Sequence, residues 1–351
     1  MATTSEKTII IRETGESVPA QSPVIVSASR STDIPAFYAD WFFHRLKKGY
    51  SAWTNPFNGV RSFVSYEQTR FIVFWSKNPR PLIPHLKELQ ERNIGCYIQF
   101  SLNDYTAEGL ERGVPSVDSR IETFKELVGI LGMGSVIWRF DPLILTDKIS
   151  IDDLISKIEY IGDRLKGYTE KLVFSFVDIA AYRKVESNLK KGGINYIEWT
   201  TASMNEFAEK LSALNKKWGY ELATCGEKID INQYGIKHNK CVDDDLIIRL
   251  AHQDDALMQH LGVSIEEAGL FGDVPEGALE LGEGKYAVKK KSLKDKGQRA
   301  LCGCIASKDI GEYNTCIHKC EYCYANASKD IAANNFKRHQ QNPLSETITG
   351  L

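Results

Sequence analysis

Eight cysteines stand in this 351-residue chain, and five of them fall between Cys302 and Cys323. Cys316, Cys320 and Cys323 lie in "CIHKCEYC", a C-x-x-x-C-x-x-C pattern that places three thiolates within eight residues. That spacing can wrap one side of a cubane iron–sulfur cluster and leave one iron without a protein ligand. An open coordination position is what chemistry at a metal requires and what a structural site avoids. Cys225, Cys241, Cys302 and Cys304 form a second candidate set. Four thiolates close a site, which suits an auxiliary [4Fe–4S] cluster or a structural zinc. Cys96 opens an apolar run and reads as a buried hydrophobe. His318 lies inside the first loop, so a Cys3His zinc knuckle is the competing arrangement there.

The background is that of an ordinary globular protein, 42% hydrophobic and 26% charged, with a formal net charge of −2. That charge excludes a globally basic nucleic-acid clamp and leaves only local patches to hold phosphate. The N-terminal stretch "MATTSEKTIIIRETGES" lacks the apolar core and cleavage site of a signal peptide. No apolar run reaches the roughly 18 residues of a membrane span. The expectation is a cytoplasmic protein with no membrane partner. Thiols stay reduced there, which favours metal or cluster ligation over disulfides.

Short runs rich in β-branched and aromatic residues recur at 24–29, 70–76, 96–102, 136–140, 171–177 and 220–225. They are apolar on both faces, as buried strands of a parallel sheet are. Segments with helical spacing separate them, at 36–49, 80–95, 119–132, 151–167 and 204–219. Strand then helix, repeated, predicts an α/β protein: a partial or complete β/α (TIM-like) barrel or a doubly wound sheet. The domain reading is an N-terminal extension (1–20), the barrel (21–228), a cysteine-rich segment completing it (229–330) and a C-terminal tail (331–351).

Barrel enzymes keep their chemistry at the C-terminal ends of strands. Those ends carry Ser29 to Asp33, Ser76-Lys77-Asn78, Ser101, Asn103, Asp104, Arg139, Asp141, Ser175, Asp178, Cys225 and Glu227. Some of these residue types equally serve as helix caps. The stretch "KKKSLKDKGQR" (289–299) reads either as a solvated charged loop or as a phosphate contact.

The motif C-x-x-x-C-x-aromatic-C resembles the cluster motif of the radical S-adenosylmethionine (SAM) superfamily. "SASRSTDIP" (27–35), "FWSKNPRPLI" (74–83), "IQFSLNDYTAEGLERGVPSVDSRIETFKEL" (98–127) and "WRFDPLIL" (138–145) are similar, in that order, to strand ends of its spore photoproduct lyase-like branch. In that branch the cysteine loop comes first and the barrel follows. Here the order is reversed, as in a circular permutation. Over residues 22 to 330 the chain also resembles an uncharacterised bacterial family, a domain of unknown function whose C-terminal cysteine cluster looks like that of radical SAM proteins. A barrel tolerates permutation because its first and last strands are neighbours, so a strand near 301–307 would take the first place.

The resemblance implies a radical SAM type of barrel, permuted, with Cys316, Cys320 and Cys323 on a [4Fe–4S] cluster. The fourth iron would chelate SAM, and reductive cleavage would give a 5′-deoxyadenosyl radical that abstracts hydrogen from a substrate. It implies Tyr322 beside the adenine, and Arg30, Ser31, Ser101, Asn103 and Arg139 around the rest of SAM. The partners implied are an electron donor such as flavodoxin or ferredoxin and, from the lyase branch and the basic stretch, a nucleic-acid substrate for repair or modification. The competing reading is a non-catalytic binding module stabilised by zinc or an iron–sulfur cluster.

Overall fold

The computed structural model describes residues 6–55, 58–180, 183–268, 274, 276–299 and 301–351. Its centre is an eight-stranded sheet in which every neighbouring pair is parallel. In chain order its strands are β1 (Ile25–Ala28), β2 (Phe71–Ser76), β3 (Gly95–Ser101), β4 (Val136–Leu143), β5 (Lys171–Phe176), β6 (Glu221–Thr224), β7 (Ile236–His238) and β8 (Lys308–Asp309). Across the sheet the order is β8-β1-β2-β3-β4-β5-β6-β7. The last strand of the chain therefore lies beside the first, with Lys308 opposite Val26 and Asp309 opposite Ser27. The expected strand near 301–307 falls a few residues later, at 308–309.

The sequence runs match the strands because their apolar residues are needed on both faces. Val26, Ile72, Phe74, Ile98, Phe100, Trp138, Phe140, Leu172 and Phe174 bury against helices Ala39–Lys48, Val117–Leu131, Ile151–Leu165 and Thr201–Asn215. Local signals start these helices as well. Ser150 and Asp153 form a reciprocal cap, each side chain taking the other's backbone N–H, and Thr200 pairs with Ser203 in the same way. Gly49, in the left-handed region at φ 82°, ends the first of them.

The opposite face carries the alternate residues Ile25, Phe71, Val73, Tyr97, Ile137, Val173 and Ala223. In a closed barrel such residues would pack only on one another. Here they are covered by helices Asp244–Ala251 and Asp255–Leu261, through Leu246, Ile247, Leu257 and Leu261. A three-stranded sheet follows, Val263–Glu267, Leu279–Gly282 and Lys285–Lys289. The edge strands β7 and β8 do not pair. Complete closure is thus corrected to an open parallel sheet whose second face is filled by an inserted segment. The apolar stretch from Asp244 to Leu261 forms these two helices and not one, broken before Asp254, which caps the second.

The termini are not loose appendages. Glu6–Ile11 and Ser17–Ser22 join Arg61–Ser65 and Tyr50–Thr54 in a four-stranded sheet. Glu346 accepts from Arg12 at 2.8 Å and from the Tyr50 hydroxyl at 2.7 Å, tying the C-terminal tail to that sheet. Among the described residues, no helix is long and apolar enough to cross a membrane.

Candidate metal centre at the strand ends

Because all eight strands are parallel, their C-terminal ends share one side, and β8 delivers the Cys316 loop to it. Asp309 fixes the junction: it accepts from Ser29 Oγ at 2.7 Å, from the Arg30 amide at 2.9 Å and from the Gly311 amide at 2.9 Å. A Cβ on Gly311 would lie 1.8 Å from Ser29 Oγ and 2.7 Å from Ser31 Oγ, so the two segments touch only with glycine there. Thr32 Oγ1 lies 2.7 Å from Thr315 Oγ1 and takes the Glu312 amide at 2.9 Å. Tyr38 donates to the Thr315 carbonyl at 2.7 Å.

Asp33 is the hub between this junction and the cysteines. It caps the helix Ile34–Phe37 by accepting from the Ala36 amide at 3.0 Å, and it takes Ser76 Oγ and the Lys77 amide, both at 2.7 Å. Its Oδ2 also lies 2.6 Å from His318 Nε2. His318 Nδ1 donates to the Gly113 carbonyl at 3.2 Å. Both ring nitrogens are therefore engaged. The Cys3His knuckle would require breaking these contacts, and the structure turns the ring away from that role.

Cys320 is buried and Cys316 and Cys323 are half-buried. Burial pushes the Cys316 thiol up to about 12, with Asp33 and Cys323 adding to it, while backbone amides of His318 and Asp33 favour its thiolate. Burial also raises Cys320 far above the ordinary thiol value; Lys77 opposes this, and Glu111, Cys316 and Cys323 reinforce it. A cavity of about 220 Å³ opens beside Cys316, lined in part by Lys319, Lys329, Lys337 and Phe336.

Beneath the loop lies a buried ionic knot. Lys77 Nζ is 2.8 Å from Glu111 Oε1 and donates to the Tyr322 hydroxyl at 2.9 Å. Tyr322 itself donates to Glu111, and Asn103 Nδ2 reaches Glu111 at 3.1 Å. Arg120 stands 3.9 Å from Glu111 Oε2 and donates to the Asn103 carbonyl at 2.7 Å. Glu111 also bridges the backbone of Cys320. The residue is invisible to motif reasoning, since a lone glutamate in a loop has no spacing signal.

The other expected SAM contacts divide between two places. Asn103 sits under the cysteine loop, with Tyr322 Oη at 3.2 Å. The Tyr322 hydroxyl is held in the knot rather than at an open surface. Arg30 is held by its own backbone: its carbonyl accepts from Tyr324 at 2.7 Å. Its guanidinium stacks over Trp75 at 5.5 Å, and Arg139 stacks over the same ring at 5.4 Å. Arg139 is committed to Asp141 at 2.5 Å, Gln99 at 3.1 Å and Cys241 Sγ at 3.3 Å. Its donors are therefore divided among Asp141, Gln99 and one sulfur of the second cysteine set. Ser31 packs in the junction against Ser29 at 3.3 Å. Ser101 ends β3 opposite Arg139, half-buried. In the basic stretch, Lys289 pairs inward with Asp244 at 2.7 Å, while Arg299 lies against Gly226.

Two expected results follow from this geometry. A Cβ on Gly113 would meet the His318 carbonyl oxygen at 2.6 Å and its Cα at 2.9 Å, backbone that cannot swing aside. Gly113→Ala should cost about 1–3 kcal/mol and lower the metal retained per chain, read by elemental analysis against an unchanged circular dichroism spectrum. Burial pushes the Glu312 carboxyl up to about 7, against donors on Thr54 and Thr349. A raised acid favours the neutral form in the fold, so its contribution is full below the usual value of 4.5 and lost as pH rises through about 7. Glu312→Gln should therefore raise the thermal midpoint near about pH 8 and leave it unchanged near about pH 4.

A search of curated proteins finds no match to this chain. A family model does match, and it spans residues 25–325, from the start of β1 to just past Cys323, covering both cysteine sets and all eight strands. The chain belongs to the family described as Domain of unknown function (DUF1848).

Proposed function

We propose that this protein is a radical SAM enzyme whose cluster loop is reached from the C-terminal end of the chain. The observation that carries the reading is the placement of Cys316, Cys320 and Cys323 in one loop, the middle thiol buried and the other two half-buried, at the C-terminal side of a parallel α/β sheet. The donor set fits a [4Fe–4S] cluster: three thiols, backbone amides aimed at Cys316, and a histidine occupied elsewhere. A [4Fe–4S] cluster held by Cys316, Cys320 and Cys323 would supply the single electron that reductive cleavage of SAM requires.

The chain's own residues hold the loop and its surroundings. Asp33 and Gly113 orient His318 and thereby the turn between Cys316 and Cys320. The Glu111 knot fixes Cys320 from below. The lysine-lined cavity beside Cys316 suits an acidic electron donor such as flavodoxin or ferredoxin. Nucleic acid is proposed as the substrate class on the likeness to the lyase branch and on the basic stretch 289–299, of which Arg299 lies against Gly226, just past β6.

The test is direct. Anaerobically purified, dithionite-reduced protein incubated with SAM should release 5′-deoxyadenosine, read by liquid chromatography. A protein that carries only zinc and leaves SAM intact would return the reading to a metal-stabilised binding module.

A further inference from the structure

The second cysteine set lies where the sheet fails to close. Cys225 follows β6 and Cys241 follows β7 at one edge, while Cys302 and Cys304 precede β8 at the other. Across this gap Ile305 donates its amide to the Val242 carbonyl at 3.0 Å. The sulfurs meet in a chain. Cys225 Sγ is 3.1 Å from Cys241 Sγ, and the Cys241 amide in turn donates to Cys304 Sγ, with Cys302 two residues before it.

The surroundings are those of thiolates. Cys304 Sγ accepts from the amides of Cys241 at 3.2 Å and Val242 at 3.4 Å. Cys241 Sγ accepts from Arg139 Nη1 and Asn239 Nδ2, both at 3.3 Å. The Arg30 guanidinium faces Asp309 and then Cys304, Cys241 and Cys302. A guanidinium held against sulfur favours an anionic ligand, and a disulfide sulfur is a poor acceptor for it. The 3.1 Å separation is also well beyond the S–S bond of about 2.05 Å.

We propose that Cys225, Cys241, Cys302 and Cys304 bind one soft metal centre, a zinc ion or a [4Fe–4S] cluster, that clasps the two open edges of the sheet. Four thiolates complete its coordination, so it is a structural site with no position for substrate. The clasp joins residues 63 apart in sequence, Cys241 and Cys304, and thereby anchors the inserted segment over the sheet. Through Arg139, Trp75 and Arg30 it also abuts the rim. This inference stands whether or not the first loop cleaves SAM.

The experiment removes the first site and looks for the second. The variant Cys316→Ser/Cys320→Ser/Cys323→Ser is purified anaerobically and reconstituted in two arms, one with zinc alone and one with iron and sulfide. The expected result is about one zinc, with four sulfurs at about 2.3 Å by X-ray absorption, or about four irons with matching sulfide. Loading should raise the thermal midpoint, and adding Cys225→Ser and Cys304→Ser should abolish both binding and the rise. If those additions unfold the chain, the first coordination shell of the triple variant decides. Four sulfurs support the clasp, and a shell containing nitrogen or oxygen overturns it. A triple variant that stays metal-free in both arms, or that shows a Cys225–Cys241 disulfide by non-reducing peptide mapping, also overturns it.

Discussion

Glu111→Gln should destabilise the protein by about 3–5 kcal/mol, the usual cost of removing one partner from a buried ion pair. Glu111 is 3% exposed and is the anion shared by Lys77 and Arg120. Gln keeps the shape and still accepts from Tyr322, but it leaves two buried cations without a counter-charge. Tyr322→Phe, which removes the hydroxyl's hydrogen bonds to Glu111, Lys77 and Asn103 and leaves the ion pairs, should cost less, about 1–3 kcal/mol. Urea unfolding of the three proteins checks the order.

The pH dependence separates charge from packing. Burial works against ionising Glu111, but Lys77 and Arg120 outweigh it and hold the carboxyl at about 2. A depressed acid contributes stability that is present above the usual 4.5 and lost as pH falls through about 2. The gap between wild type and Glu111→Gln should therefore be widest above about pH 5 and close toward about pH 2. A gap independent of pH would assign the loss to packing.

Cys320→Ala should abolish 5′-deoxyadenosine release to the level of a cluster-free blank and lower iron by about four per chain. Cys320 is the middle cysteine of the three, and its backbone bridges to Glu111. Alanine removes the ligand and leaves that bridge intact, so the fold should persist by circular dichroism. Cys96→Ala is the control: its thiol is raised to about 12 by burial alone and faces the helices, away from both cysteine sets. It should keep iron and activity. Retained SAM cleavage in Cys320→Ala would reject the ligand assignment.

The strands were readable because each is an unbroken apolar run; the runs 70–76 and 96–102 fall within one residue of β2 and β3. β7 and β8 were not, since three and two residues are too short to show a period. The division of 243–262 into two helices was hidden because Asp254 caps only once the chain turns there. The expected contacts of Arg139 failed to foresee Asp141, Gln99 and Cys241, which compete for its donors across three different elements.

By itself the sequence determined the α/β class, through period and length of its apolar runs, and the grouping of Cys316, Cys320 and Cys323, through ligand type and local spacing. Cys316, Cys320 and Cys323 are close because they are close in the chain, so no fold is needed to group them. Tertiary structure alone decided the rest. It filled the second face with helices Asp244–Ala251 and Asp255–Leu261 instead of closing the barrel, and brought Cys225 and Cys241 to Cys304. It also turned His318 into a strut and Glu111 into the anion beneath Cys320. Those outcomes depend on which distant groups share one buried volume, and burial forces polar side chains to find partners that local spacing does not reveal.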